Sequence, residues 1–155
     1  MSAIKISNLQ YLWPESDDLT IDIPTLQVDR KGSVFLQGAS GSGKSTLLSL
    51  LAGTLKASGG TLQVLGTDLN SLSPRQRDRF RAEHIGIVFQ QFNLIPFLTV
   101  LGNLKLASRF VNQSAEATDC TLIFASHDSS LARFFDSKLV LSEVNRSVKK
   151  ETVSA

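Results

Sequence analysis

Cysteine, tryptophan and tyrosine are nearly missing from this sequence of 155 residues, which contains one of each. The single thiol, Cys120, excludes an internal disulfide and a metal site built from several thiolates, and it fits a reducing compartment. We interpret Cys120 as a small buried apolar residue. Long apolar runs are missing as well, because the most apolar stretch, Leu47 to Leu55, is too short to span a bilayer.

A strong excess of charge of one sign is also absent. Sixteen basic and fourteen acidic residues give a formal net charge of +2, and no block of Lys and Arg stands out, so no nucleic-acid partner is expected. The start, Met1 to Lys5, lacks a basic segment followed by an apolar run. We therefore expect a cytoplasmic chain, and its 42% hydrophobic content is enough for one domain with a single core.

Apolar periodicity predicts an α/β fold with a mainly parallel sheet and a small antiparallel sheet at the start of the chain. The antiparallel strands are expected near residues 4–9 and 19–23, with an interruption at Pro24 before Leu26 and Val28 resume the pattern. Further strands are predicted at 34–36, 61–65, 85–89, 121–125 and 139–141, and helices at 44–55, 74–83 and 99–110. The helix at 74–83 should begin with a capping box formed by Ser73 and Gln76, with Pro74 at its first position. A short helix after residue 128 should present Leu131, Phe134 and Phe135 on one face.

A glycine-rich segment lies between the strand at 34–36 and the helix that follows. It consists of Gly38, Ala39, Ser40, Gly41, Ser42, Gly43, Lys44 and Ser45, with Thr46 next along the helix. Glycine, four variable positions and then Gly-Lys-Ser form the phosphate-binding P-loop pattern, which a chain of this length matches by chance about once in two hundred cases. Lys44 would neutralise the β- and γ-phosphates of a nucleotide, and the Ser45 hydroxyl would hold Mg²⁺.

Three alternatives to an ATP-binding loop have to be weighed. A glycine-rich turn without a ligand would use the same residues, but the flanking strand and helix favour phosphate binding. A GTPase would carry an Asn-Lys-x-Asp element, which is missing, and the string Asp29-Arg30-Lys31-Gly32 precedes the loop instead of following it. A small-molecule kinase stays open, although it does not account for residues 85–103.

Residues 85–96, Ile-Gly-Ile-Val-Phe-Gln-Gln-Phe-Asn-Leu-Ile-Pro, and 98–104, Leu-Thr-Val-Leu-Gly-Asn-Leu, resemble the Q-loop of ABC ATPases and the helix after it. Together with the P-loop they are similar to the lipoprotein-release and macrolide-export branch of that family. The resemblance implies ATP and Mg²⁺ as ligands and a role for Gln90 at the metal and the attacking water. It also implies that the Gln90 to Leu98 region faces a membrane permease at the inner face of the cell membrane.

Two further positions match the family by their place in the chain. An aromatic residue of the first sheet stacks on adenine in ABC ATPases, and Trp13 is the first candidate, with Tyr11 as the second. The string Ser126-His127-Asp128 after a strand is similar to the H-loop, which implies that His127 contacts the γ-phosphate. Considered without the family, these aromatic residues and the lone histidine would be structural.

The resemblance breaks between Phe110 and Cys120, where the family has a helical subdomain, a Leu-Ser-Gly-Gly-Gln signature, a Walker B strand ending in Asp-Glu and a D-loop. None of these strings occurs here. We interpret the chain as an internally truncated ABC nucleotide-binding domain at residues 1–144 with a polar tail at 145–155 that hangs free. The family's homodimer would lack its signature, hydrolysis is expected to be impaired, and the strands at 85–89 and 121–125 should pair directly. A remnant that binds ATP without a transporter partner is the main alternative.

Overall fold

The computed structural model describes residues 2–85, 121–126 and 129–147. Within these ranges the strands are β1 (Ser2–Leu12), β2 (Leu19–Asp29), β3 (Ser33–Gln37), β4 (Gly59–Val64), β5 (Thr67–Asp68), β6 (Leu122–Ser126) and β7 (Ser137–Val140). The helices are α1 (Lys44–Leu51), α2 (Pro74–His84) and α3 (Leu141–Val144), and 3₁₀ helices span Leu69–Ser71 and Ser129–Phe134. No helix in the described ranges has the length and apolar composition needed to cross a membrane.

The first sheet is antiparallel, with the strand order β2-β1-β4-β5. In β1 the buried positions change from Ile4 and Ile6 to Leu9 and Tyr11, so the inward face moves from even to odd residues. The change occurs at Asn8, whose φ of 48° is left-handed, and the pairing with β4 shifts register there. This bulge keeps both halves of the strand facing the core although the alternation of the sequence is broken.

Pro24 does not interrupt β2, so the predicted break is wrong. The register with β1 is constant on both sides of it, from Leu9 opposite Ile23 to Ser7 opposite Thr25. Because β2 is an edge strand, the absent N–H of proline removes no bond to a neighbour on the outer side. The fourth strand along the chain, β4, also joins this antiparallel sheet, through β1.

The second sheet is parallel, with β3 between β6 and β7. Phe35 on β3 is fully buried, and its ring lies 6.2 Å from Phe124 of β6 and 5.4 Å from Phe135 between ring centroids. Phe134, by contrast, is 50% exposed under the Arg133 guanidinium, so the prediction that it shares the inward face is wrong. The 3₁₀ helix ends at Phe134, and Phe135 lies beyond it, so the two rings do not share one helical face.

One core joins the two sheets. Helix α1 contributes Leu47, Leu50 and Leu51 to this core, which also contains Ile21 of β2 and Leu36 of β3. The helix ends at Leu51 and not near Leu55 as predicted, because Gly53 takes a left-handed φ of 71°. The predicted strand at 139–141 ends one residue early, since Leu141 begins α3. The predicted partner of β6, residues 85–89, lies outside the described residues except for Ile85.

The polar segment after α3 does not hang free at its start, contrary to prediction. Asn145 is buried, and its amide bonds to the backbone of β2 at Asp22 and Thr20. The N–H of Arg146 donates to the Asp22 carbonyl at 2.9 Å. The polarity of this segment predicts exposure to solvent, but its polar groups instead form hydrogen bonds with backbone groups of the edge strand β2.

Replacing Gly60 by alanine tests the bulge in β1. A Cβ at this residue would collide with the backbone carbonyl of Asn8, whereas a Cβ at Gly66, which has a similar φ of 84°, meets no atom of the described residues within 4 Å. We expect Gly66→Ala to lower the free energy of unfolding by about 1 kcal/mol from backbone strain alone. Gly60→Ala should cost about 3 kcal/mol or more, because β1 must also move. If urea unfolding shows that both variants lose the same free energy of unfolding, the described bulge is wrong.

Asp136 makes stability depend on pH. Its Oδ2 accepts the backbone N–H of Ser33 at 2.7 Å and the Ser33 hydroxyl at 2.8 Å, and these bonds lower the pKa of the carboxyl. The contribution is therefore present above the ordinary pKa and is lost as pH falls through the lowered one. Asp136→Asn should flatten the decline in melting temperature from about pH 5 to about pH 2. Asp17→Asn, in the exposed connection between β1 and β2, is the control and should leave the decline unchanged.

Candidate functional site

The loop from β3 to α1 has the backbone shape that its glycines predict. Gly41 and Gly43 have φ values of 78° and 96°, and Gly43 is the N-cap of α1. The N–H groups of its first turn, from Lys44 to Thr46, have no acceptors within the helix, and no side chain in the described part of the chain caps them. These N–H groups and the positive end of the helix dipole form an arrangement that binds anions.

Helix α2, in contrast to α1, has a capped N-terminus. Ser73 and Gln76 form the predicted capping box at the start of α2, with Pro74 at the first helical position. The Gln76 side chain accepts the Ser73 N–H at 2.9 Å, and the Ser73 hydroxyl accepts the Gln76 N–H at 3.4 Å. The first N–H groups of α2 are thus capped by side chains of the same helix, whereas no described side chain caps those of α1.

Two glycines of the loop are required by close contacts. A Cβ at Gly38 would collide with the Ser42 hydroxyl oxygen. A Cβ at Gly43 would lie 3.1 Å from Ile21 Cδ1 and 3.3 Å from the Thr20 carbonyl oxygen of β2. The loop is thus folded tightly on itself and packed against the edge strand of the first sheet. A side chain at either glycine would push the loop out of this shape.

Lys44 holds its ammonium group over the loop. Its Nζ donates to the carbonyl oxygens of Gly38 at 2.6 Å and Ala39 at 2.7 Å, and partial burial lowers its pKa. The carbonyl of Ala39 also accepts the N–H of Ser42 at 3.2 Å. Ser45 is exposed on the first turn of α1, while Thr46 is buried. The cation and the exposed hydroxyl therefore lie on the same turn as the uncapped N–H groups.

Two residues far along the chain also contribute to this site, and no sequence pattern predicts them. Leu141 is fully buried, and its Cβ lies 3.4 Å from the Cβ position of Gly38. The Nδ2 of Asn145 donates to the carbonyl oxygen of Ser42 at 3.5 Å. Their spacing from the loop, about a hundred residues, forms no motif that sequence analysis would detect.

The aromatic candidates lie at the end of β1. Tyr11 is buried, whereas Trp13 is 43% exposed, and their rings meet edge to face at 5.1 Å between centroids. Of the two, Trp13 has enough exposed ring surface to stack on another ring, and the buried Tyr11 ring packs against it. Adenine stacking on Trp13, with Tyr11 as the second choice, stays a prediction.

The remaining predicted site residues, Gln90 and His127, lie outside the described residues, as does the Gln90 to Leu98 region. The residue before His127, Ser126, is described. Ser126 ends β6 and is paired with Gln37, the last residue of β3 before the P-loop. The strand that leads to His127 therefore ends beside the strand that leads to the P-loop.

Comparison with known proteins decides the family. The family model described as ABC transporter matches residues 21–154, which is most of the chain. The chain belongs to the ABC transporter family. The family resemblance predicted from the P-loop and the Q-loop pattern is thereby confirmed.

Relatives with the same family assignment cover this chain only in part. A macrolide export ATP-binding/permease protein MacB from Rhodopirellula baltica is 38% identical over 96 residues, 62% of this chain and 14% of that protein. The uncharacterized ABC transporter ATP-binding protein Rv0986 of Mycobacterium tuberculosis is 40% identical over 113 residues, 72% of this chain and 46% of that protein. The ABC-family chain thus spans less than half the length of these curated relatives.

Solved ABC cassettes share the fold. The ATP-binding cassette MJ0796, in a dimeric post-hydrolysis state bound to ADP and Pi, matches with a TM-score of 0.54 and 32% identity over 72% of this chain and 49% of that chain. CbiO1 from Clostridium perfringens, part of a CbiONQ transporter complex, matches with a TM-score of 0.67 over 90% of this chain and 84% of that chain. At 17% identity the second match shows the fold alone. The predicted α/β P-loop fold of ABC ATPase type is confirmed.

Exchanging the aromatic residues one at a time tests which of them contacts adenine. Trp13→Ala should weaken ATP binding by about 5- to 100-fold, the range expected for loss of one stacked base. In the wild type, the fluorescence of this single tryptophan should change when ATP is added. Tyr11→Phe is the control, because it keeps the ring that packs against Trp13. If Trp13→Ala binds ATP like the wild type and Tyr11→Ala does not, Tyr11 is the stacking residue.

Proposed function

We propose that this chain is the ATP-binding subunit of an ABC transporter and that it binds ATP with Mg²⁺ at residues 38–46. The observation that carries the proposal is the uncapped start of α1, with the Lys44 ammonium bonded to two carbonyl oxygens of the loop that precedes it. A polyphosphate would replace those carbonyls as the partner of Lys44, because a charged oxygen is the stronger acceptor. The uncapped N–H groups would bind its remaining oxygens.

The residues present fit both ligands. Among the described residues, no atom lies within 4 Å of the position that a Cβ of Gly41 would take, so phosphate oxygens can approach the backbone there. The exposed hydroxyl of Ser45 would hold Mg²⁺ together with the phosphates, and Gln90 would be its second protein ligand. Bound in this way, the metal would draw charge from the γ-phosphate.

A membrane permease is the proposed partner. The names of the relatives, which include export ATP-binding and permease proteins, support it, and the solved neighbours include a dimeric cassette and a member of a transporter complex. The Gln90 to Leu98 region would form the contact, so the chain would lie at the inner face of the cell membrane. A homodimer would bring two P-loops together, but without the signature motif neither would be closed by its partner in the family's manner.

Hydrolysis is proposed to be slow or absent. Residues 111–120 contain neither consecutive carboxylates nor a Leu-Ser-Gly-Gly-Gln string, as an internal deletion would leave them. Gln90 could orient a water molecule and His127 could contact the γ-phosphate, but neither replaces a carboxylate base, whose proton transfer is typically worth about 10²- to 10⁴-fold in rate. A second candidate function follows: the chain holds ATP without a transporter partner.

ATP binding and ATP hydrolysis should be measured side by side on the purified chain. The wild type should bind ATP in a calorimetric titration and release little phosphate. Lys44→Ala should remove most of the affinity, because the P-loop then loses the cation that would face the β- and γ-phosphates. Lys56→Ala, an exposed lysine after α1, is the matched control and should bind like the wild type.

Three outcomes would change the proposal. Unchanged affinity in Lys44→Ala would exclude the P-loop as the binding site. Steady-state phosphate release that matches an intact ABC ATPase, and that Lys44→Ala abolishes, would mean that a carboxylate such as Asp119 or Asp128 acts as the base. Tighter binding of GTP than of ATP, or transfer of phosphate to an added acceptor, would favour a GTPase or a kinase.

A further inference from the structure

One side chain outside the P-loop motif joins three parts of the chain behind the loop. Asn145 follows α3 and is 1% exposed. Its Oδ1 accepts the backbone N–H of Asp22 at 2.7 Å, and its Nδ2 donates to the Thr20 carbonyl at 3.0 Å. The same Nδ2 donates to the carbonyl of Ser42, inside the loop, at 3.5 Å. One buried amide therefore connects β2, the P-loop and the segment after α3.

The orientation of this amide is fixed by its partners. The oxygen faces the N–H groups of Asp22 and Ser147, and the nitrogen faces two carbonyl oxygens. A reversed amide would place an oxygen against the two carbonyls and an NH₂ group against the N–H of Asp22. No other side chain of similar size offers an acceptor and two donors in this geometry, so neither Asp nor Leu would satisfy the same partners.

The amide lies against the part of the loop with the least freedom. A Cβ at Gly43 would come within 3.6 Å of the Asn145 Nδ2. Gly43 is the left-handed N-cap that turns the chain into α1, and the N–H groups proposed to bind phosphate follow directly after it. A shift of the Ser42–Gly43 backbone would therefore change the direction of those N–H groups.

Building on the proposed ATP binding at this loop, we infer that Asn145 is a positioning residue that holds the Ser42–Gly43 backbone in its phosphate-binding shape. It acts through the loop and does not contact the nucleotide. Without it, the loop spends part of its time in other conformations, and the apparent ATP affinity falls in proportion to the fraction of molecules whose loop keeps the binding-competent shape. The net loss of such hydrogen bonds corresponds to an affinity about three- to tenfold weaker.

The matched comparison is Asn145→Ala with Ser147→Ala. The Ser147 hydroxyl lies 2.6 Å from the same Thr20 carbonyl oxygen and 2.9 Å from the Asn145 Oδ1, so it anchors the same segment to β2, but its described contacts do not include the loop. Both variants should lower the melting temperature. In a calorimetric titration at a temperature where both are folded, Asn145→Ala should bind ATP about three- to tenfold more weakly, and Ser147→Ala within about twofold of the wild type.

Amide resonances of the nucleotide-free chain supply a readout that general destabilisation does not move. In Asn145→Ala the amides of residues 42–45 should shift and exchange with solvent faster, while that of Gly66 stays unchanged. In Ser147→Ala the loop amides should keep their wild-type shifts. If Asn145→Ala does not fold, Asn145→Ser, which keeps one donor, should give a smaller shift in the same amides.

The outcomes separate this inference from the proposed function. If the wild type binds ATP and Asn145→Ala binds equally well with unchanged loop amides, the positioning role is wrong and the proposed function stands. If both variants weaken ATP binding equally, Asn145 has only a structural role in the segment. If the wild type binds no ATP, the proposed function fails, and the loop amides alone decide whether Asn145 holds the loop.

Discussion

The turn from β3 into α1 depends on a left-handed residue at position 43 whose backbone lies against the Thr20 carbonyl of β2. Only glycine combines that φ with that approach. Because Gly43 has no side chain to cap the helix, the first N–H groups of α1 stay available, and the Lys44 ammonium bonds to carbonyls of its own loop. Phosphate binding and tight packing therefore follow from one backbone requirement.

Helix α1 has eight residues, too few to be stable by itself, and it lacks the cap that stabilises α2. Its stability has to come from packing, and Leu47 and Leu50 are fully or almost fully buried in the core that both sheets share. The open N-terminus thus loses the contribution of a cap, typically about 1 kcal/mol. Burial of two leucine side chains, about 1.5–3 kcal/mol each, exceeds that loss. Function at one end of the helix is supported by apolar packing along its length.

Local sequence signals predicted local structure well, and the errors share a cause. The capping box of α2 and the strand before the P-loop were predicted because neighbouring residues specify them. The end of α1 was placed too late because apolar residues continue past Gly53. The predicted break at Pro24 is wrong because an edge strand tolerates proline, and which strand lies at the edge of the sheet cannot be seen in the local sequence. The prediction that Phe134 and Phe135 share a face assumes a helix that continues through both, whereas the 3₁₀ helix ends at Phe134.

The sequence by itself determined the P-loop, the family and the α/β fold class, since these depend on residue types at fixed short spacings. It also determined that consecutive Asp-Glu residues are missing, since that is a property of the residue string. Only the tertiary structure decided that Asn145 and Leu141 lie behind the loop and that Trp13 is exposed while Tyr11 is buried. Contacts between residues a hundred positions apart arise from the pairing of sheets, and no local pattern encodes which polar residue the core will enclose.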